Sequence, residues 1–448
     1  MLGKLLLAIA LAILASTPVG YAQTTQLPPQ HQNAPQAAAF QSLLNNSTLD
    51  GWWGLGTEDP RAVYAADPEA LAKRKAESQA DINAHWTNHN GILTNDGQGL
   101  YLTTDKLFGD FELLLEYKTV PNADSGIYLR GCPQVQIWDS TEAGGKWELG
   151  ADKGSGGLWN NSPNSPGKDP LTHADKPFGQ WNLLHIIMVG ERVSVWLNAE
   201  QVVNHARMEN YFDRSLPLPR LGPIQLQTHG GEISWRNIFI REIAPDEANT
   251  ILASHGTQSF EPIFNGRDFT GWAGPTDNYE IIDGALRCRP DHGGTIYTEE
   301  EYEDFAVRFE FKLPPGGNNG LAIRYPGSGD TAYVGMCELQ VLDSQDPRYA
   351  NIDPRQHHAS VYAQAPAHRG YLRKPGEWNF QEVTVIGSRI TVELNGTRIL
   401  DTDLSTITDF MYPPEKFPGR TRTRGHFGFA GHNDPVEFRN IRIKRIGE

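Results

Sequence analysis

The chain has 448 residues, 39% hydrophobic and 21% charged, which excludes a disordered or fibrous protein and suits two domains rather than one core. A formal net charge of -15 excludes a nucleic-acid partner or an anionic-membrane surface, because phosphate recognition needs clustered Lys and Arg. An uncharged ligand such as a sugar remains open.

Residues 1–22 read as an export signal: Lys4 gives a positive start, Leu5 to Ala15 an apolar run, and Gly20-Tyr21-Ala22 a small-x-small cleavage site. The apolar run falls short of the ~20 residues that span a bilayer, so the expectation is a secreted or periplasmic protein without stable membrane insertion. Residues 23–38, rich in Gln, Pro and Ala, read as a flexible lead-in. Of the cysteines, Cys132, Cys288 and Cys337 allow at most one disulfide.

Beyond the lead-in the chain repeats itself. Asn45-Asn46-Ser47-Thr48-Leu49-Asp50-Gly51-Trp52 matches Asn265-Gly266-Arg267-Asp268-Phe269-Thr270-Gly271-Trp272. Ser125-Gly126-Ile127-Tyr128-Leu129-Arg130 matches Asn319-Gly320-Leu321-Ala322-Ile323-Arg324. Gly179-Gln180-Trp181-Asn182 matches Gly376-Glu377-Trp378-Asn379, and Trp235-Arg236-Asn237-Ile238 matches Phe438-Arg439-Asn440-Ile441. The same order in both halves marks a tandem duplication, with domains at 39–245 and 259–448 joined by a linker at 246–258. Copy one carries an extra segment between Trp52 and Gly91. Asp67 as N-cap and the helix formers Pro68 to Ala80 predict one surface helix there, a decoration or a lid.

Most other segments read as strands. Phe111–Tyr117, Val193–Leu197 and Ile233–Ile240 in copy one, with Phe305–Phe311 and Ile390–Leu394 in copy two, alternate or are rich in β-branched and aromatic residues. Asn395-Gly396 signals a tight turn. Many short strands with Gly, Asn and Pro turns predict an all-β fold, two antiparallel jelly-roll sandwiches, each with a sheet face free to bind a ligand. The two copies are expected to pack on each other.

No G-x-S-x-G, H-E-x-x-H, Walker or paired C-x-x-C signature is present. Three polar strips stand out instead. Arg324 closes an apolar strand, with Arg130 as its counterpart. Glu338, Gln340 and Leu342 share one strand face by the period of two, ending at Asp343; copy one has Gln134, Gln136 and Asp139. His432 precedes the last strand, with His229 as its counterpart. His357 and His358 are adjacent, so at most one of them faces a site; His358 is the candidate. Each strip has an ordinary structural alternative: a surface ion pair, a solvated sheet face, a turn residue. The persistence of Arg, Gln, Asp and His in both copies favours function.

Phe264-Asn265-Gly266-Arg267-Asp268-Phe269-Thr270-Gly271-Trp272, Asp304-Phe305, Asn319 to Arg324, Glu338 to Asp343, Trp378-Asn379 and Val436 to Ile441 together resemble the 3-keto-disaccharide hydrolase family. The resemblance covers nearly all of 260–447 and, less fully, 40–243. It implies a concanavalin-like jelly roll, export, and cleavage of glycosides oxidised to a ketone at sugar carbon 3. Such a ketone acidifies the C2 proton, and the enolate expels the C1 substituent by β-elimination; adding water completes a net hydrolysis. On this reading His432 is the base, Arg324 the enolate stabiliser and Glu338 or Asp343 the acid. Gln340, His358, Arg130, Gln136, Asp139 and His229 contact sugar. One divalent metal held by His and carboxylate is chemically reasonable, without a decisive ligand set. The change from Glu338 to Gln134 makes copy two the active domain. The rival reading is a non-catalytic pair of carbohydrate-binding modules.

Overall fold

The computed structural model describes residues 39–447; the expected signal and lead-in, 1–38, lie outside them. Each copy is a sandwich of an eight-stranded and a five-stranded antiparallel sheet. In copy two the larger sheet runs Tyr279–Ile282, Ala285–Cys288, Glu437–Arg445, Phe305–Lys312, Trp378–Ile386, Arg389–Leu394 and Thr397–Asp403, with Glu261–Pro262 pairing on Glu437–Arg445. The smaller runs Trp272–Ala273, Gly293–Tyr302, Gly425–His432, Asn318–Tyr325 and Cys337–Leu342. Copy one repeats both orders.

Alternation builds the core. Phe305, Val307, Phe309 and Phe311 point between the sheets and meet Cys337, Leu339 and Val341 from the facing strand. An equivalent cluster around Leu113, Leu115, Ile127, Val135 and Trp235 fills copy one. Since the inner positions of Cys337–Leu342 are spent on the core, Glu338, Gln340 and Leu342 must face outward. All three cysteines are buried and free.

The expected helix is Pro68–His85, with Asp67 accepting from the backbone N–H of Glu69 and Ala70. It packs along the edge strand Trp52–Leu55: Ser78 Oγ accepts from Gly54 N at 2.9 Å and Ile82 is fully buried. The helix thus caps an open sheet edge.

The segment expected as a linker is itself a helix, Pro245–Ser254. Its Ala248 and Leu252 pack with Val189 of copy one and Phe380 of copy two, so the join is a wedge between the copies. Around it, Arg192 forms a two-pronged ion pair with Glu393, and Tyr371 Oη donates to Leu218 O at 2.8 Å. The turn at Gly190-Glu191 docks against the turn at Asn395-Gly396, where Glu191 N donates to Gly396 O at 2.9 Å. A side chain at Gly190, at φ +58°, would run into Asn395 O, so glycine sets this close approach.

Candidate active site

Glu338, Gln340 and Leu342 line a cavity of about 230 Å³ on the outer face of the smaller sheet of copy two. His432, the last residue of its strand, and Asn318 join them from neighbouring strands. Asp330, Tyr333, Tyr349 and Tyr362 close it from the loops. Gly320 pairs with Gln340 across the ladder, and a methyl there would collide with the Glu338 carboxylate. The bare backbone at Gly320 is the floor on which Glu338 lies.

Glu338 is 5% exposed, whereas the His432 side chain is 46% exposed and reaches the opening. His432 Nε2 stands 3.7 Å from Glu338 Oε1. The Glu338 carboxylate, aided by Asp330 and Asp434 and opposed by partial burial, holds the imidazole above its ordinary pKa of 6.5. Gln340 Nε2 donates to Asn318 Oδ1 at 2.6 Å, which fixes both amides at the cavity wall. Tyr362 is pushed up to about 12 by burial, so its hydroxyl stays neutral.

Other predicted site residues lie elsewhere. Arg324 is 1% exposed and is held by Asp304 at 2.8 Å and by the carbonyls of Glu303, Gly387 and Arg422. Its guanidinium anchors the far end of the strand and does not line the cavity, so it is no enolate stabiliser. Arg130 repeats the arrangement with Asp110 and the carbonyl of Gly109. It therefore contacts no sugar at the sheet face. Both arginines have positive φ, +54° and +47°; the copy-one strand ends just before Arg130 and the copy-two strand bulges between Ala322 and Tyr325, so each side chain leaves the outer sheet face.

Asp343 accepts from Gly316 N at 2.9 Å and Gln345 N at 3.3 Å, so it fastens two turns and is not placed as the acid. Asp139 does the same with Asn122 N and Thr141 N. Burial works against its charge, but the hydrogen bonds from Thr141 and Asn122 outweigh it and hold the carboxyl below its usual range. His358 is buried, stacked on Phe311, between Leu342 N and Gln381 Oε1, and desolvation lowers it to about 4. It is a neutral packing residue, not a sugar contact.

Copy one keeps the position but changes the chemistry. Asp124 replaces Asn318 and is gripped by Lys146, by Gln136 Nε2 at 2.8 Å and by His229 Nδ1 at 3.0 Å. Gln134 is bonded to Gln136 where copy two has the Glu338 carboxylate facing His432. Copy one thus brings Gln136 and His229 together, but as an ion-paired cluster in which the imidazole meets Asp124, a carboxylate that Lys146 already neutralises.

Of the cavity residues missed in the sequence, Asn318 opens a strand, whereas Asp330, Tyr333, Tyr349 and Tyr362 lie outside the sheets. Between the paired strands copy one turns at Arg130-Gly131, whereas copy two runs on from Pro326 to Met336 and supplies Asp330 and Tyr333. The unequal spacing of Arg130–Gln134 and Arg324–Glu338 was the available signal. As for a metal, no group of three His, Cys, Asp or Glu side chains is placed to hold an ion among the described residues. The cavity lining offers the His432 imidazole, the Glu338 and Asp330 carboxylates and the amides of Asn318, Gln340 and Gln356, oxygen and nitrogen donors a divalent ion accepts, of which His432 and Glu338 approach each other at 3.7 Å.

The sequence matches the 3-keto-alpha-glucoside-1,2-lyase-like domain over residues 39–241 and again over 259–444, and the chain belongs to that family in two tandem copies. A 3-keto-disaccharide hydrolase of Bacteroides thetaiotaomicron is 26% identical over 246 residues, covering 46% of this chain and 85% of that protein. A crystal structure from Parabacteroides distasonis, named for a presumed glycosyl hydrolase, is 25% identical with a TM-score of 0.38, covering 42% of this chain and 99% of the other. A carbohydrate-binding module from Bacillus subtilis is 15% identical with a TM-score of 0.27, covering 40% of this chain and 97% of the other.

Proposed function

We propose that the protein is an exported enzyme that cleaves 3-keto-glycosides at copy two, with His432 as base and Glu338 as its charged partner. The observation that carries this reading is the pairing of a half-exposed imidazole with a buried carboxylate, 3.7 Å apart, in a sugar-sized cavity. Family membership supports a carbohydrate-cleaving activity, and the leading segment from Lys4 to Ala22 supports export.

Neutral His432 takes the proton from C2, the carbon beside the 3-ketone. The C2–H electrons form the enolate, the enolate re-forms the ketone as the C1–O bond breaks, and the leaving oxygen takes the proton from the His432 imidazolium, which returns the base to its neutral form. The product is a 1,2-unsaturated 3-keto sugar; water added across C1=C2 gives the net hydrolysis product. Glu338 stabilises the imidazolium that forms, the role a buried carboxylate plays behind a catalytic histidine. Gln340 and Asn318 hydrogen-bond the sugar. No two-carboxylate arrangement is needed, because the ketone, not an oxocarbenium ion, carries the developing charge.

The second reading, a sugar-binding module, is favoured by the tyrosines Tyr333, Tyr349 and Tyr362 at the cavity, which suit a sugar face. Product analysis on α- and β-linked 3-keto-glucosides separates the two: cleavage supports the enzyme, saturable binding without cleavage the module. A chelator arm tests the metal. Turnover lost on chelation and restored by a divalent ion would show that a metal takes part; His432 and Glu338 are the side chains that would hold it, and it would supply polarisation of the ketone.

A further inference from the structure

A second cavity, of about 210 Å³, lies in the seam between the copies. Asp110, Arg130, Arg220 and Glu242 reach it from copy one, and Arg373 and Glu377 from copy two. Arg373 is only 7% exposed. Its Nη1 donates to Asn249 Oδ1 at 2.6 Å and to the Trp378 carbonyl, but Nη2 has no hydrogen-bond partner. A buried guanidinium N–H without an acceptor is costly, and native proteins rarely leave one so.

The acids on the cavity wall do not answer it. Asp110 is taken by Arg130 Nη2 at 2.9 Å and Gly190 N at 2.8 Å, and Glu242 by Lys106 at 2.7 Å. Glu377 accepts from Lys374 N and makes no ion pair with Arg373. Arg220, exposed at the rim, donates to Leu372 O at 3.3 Å and also has no carboxylate partner among the described residues. One guanidinium group from each copy therefore lines the same cavity, and neither has a carboxylate partner among the described residues.

We infer that this seam is a binding site for a small oxyanion, a carboxylate or phosphate group on a small molecule, bridging Arg220 of copy one and Arg373 of copy two. The planar fork of arginine matches both groups. A bound anion joins the two copies, so it raises the stability of the whole chain rather than of one sandwich. The site is separate from the Glu338 cavity and does not depend on the reaction assigned there.

The test is thermal unfolding and calorimetric titration of the full chain with inorganic phosphate and with gluconate, against sodium chloride of equal ionic strength. A saturable rise in midpoint with phosphate assigns the phosphate class, and with gluconate the carboxylate class. Arg220→Ala should weaken binding about tenfold, the loss expected for one charge-assisted contact, and Arg373→Gln should abolish it. Glu377→Gln, which removes the competing carboxylate, should tighten it. If Arg373→Gln does not fold, the other two variants still decide the matter. No midpoint rise beyond chloride with either anion overturns the proposal, as does an affinity indifferent to Arg220→Ala and Glu377→Gln.

Discussion

His432 and Glu338 differ in exposure as their assigned work differs, one reaching the cavity mouth and the other lying on the Gly320 backbone. The pairing sets a pH signature. Because Glu338 raises the imidazole above 6.5, kcat/KM should climb with pH along a limb centred above 6.5 as His432 loses its proton. Glu338→Gln removes the cause, so the limb should move down in pH while kcat falls. His432→Ala should cost about 100-fold or more in kcat, the usual worth of a general base, with an unchanged circular-dichroism spectrum. An unchanged limb in Glu338→Gln would sever the pair. Arg324 makes the opposite prediction. Arg324→Ala breaks a buried ion pair and should cost about 3 kcal/mol in denaturant unfolding, while the folded fraction keeps its kcat. Residue identity alone could not separate the two. Arg324 reads as closing an apolar strand and His432 as a polar residue ahead of the last one, each with its counterpart in copy one, and the positive φ of Arg324 accompanies the turn of its side chain to carbonyls rather than to the cavity.

At the scale of elements, the strand Cys337–Leu342 shows what period-two reasoning can reach. Its alternation places Cys337, Leu339 and Val341 inside and Glu338, Gln340 and Leu342 outside, as the strand pattern requires. The same reasoning fails at Asp343, one residue past the strand, because turn hydrogen bonds replace the pleat there. It is silent about Asp330 and Tyr333, which belong to a loop present in copy two only. The helix Pro68–His85 was readable from Asp67 and its run of helix formers, but its docking was not, since that depends on Ser78 meeting Gly54. Ser78→Ala leaves Gly54 N without its acceptor and should lower stability by about 1 kcal/mol, measurable as a shift in the urea midpoint with no change in the reaction. A change in turnover would give the helix a lid's role.

For the whole molecule, the duplication gave the two sandwiches but not the seam. The helical wedge Pro245–Ser254 and the docking of turn Gly190-Glu191 on turn Asn395-Gly396 join unlike parts of the two copies, so self-similarity does not foretell them. At the seam His205 stacks on His255 with centroids 3.8 Å apart, and desolvation followed by the nearby cations lowers His205 to about 3. His358, lowered to about 4, is neutral in the folded chain as well. Both bind protons more readily when unfolded, at the ordinary 6.5. Stability should therefore hold above pH 6.5 and fall as the pH drops from there toward 4, by about 3 kcal/mol for His358 alone. His358→Gln should flatten that slope in denaturant titrations at stepped pH; an unaltered slope would show that other groups carry it.

The central claim is that cleavage runs through removal of the C2 proton by His432 of copy two. The most direct measurement is proton NMR of a 3-keto-glucoside incubated with the mature protein in D2O, read at early time points beside an enzyme-free control. The account predicts cleavage with loss of the C2 proton, seen as an unsaturated product or as deuterium at C2 of the hydrated one, and neither with His432→Ala. Cleavage that keeps the C2 proton, or that His432→Ala leaves intact, would contradict it.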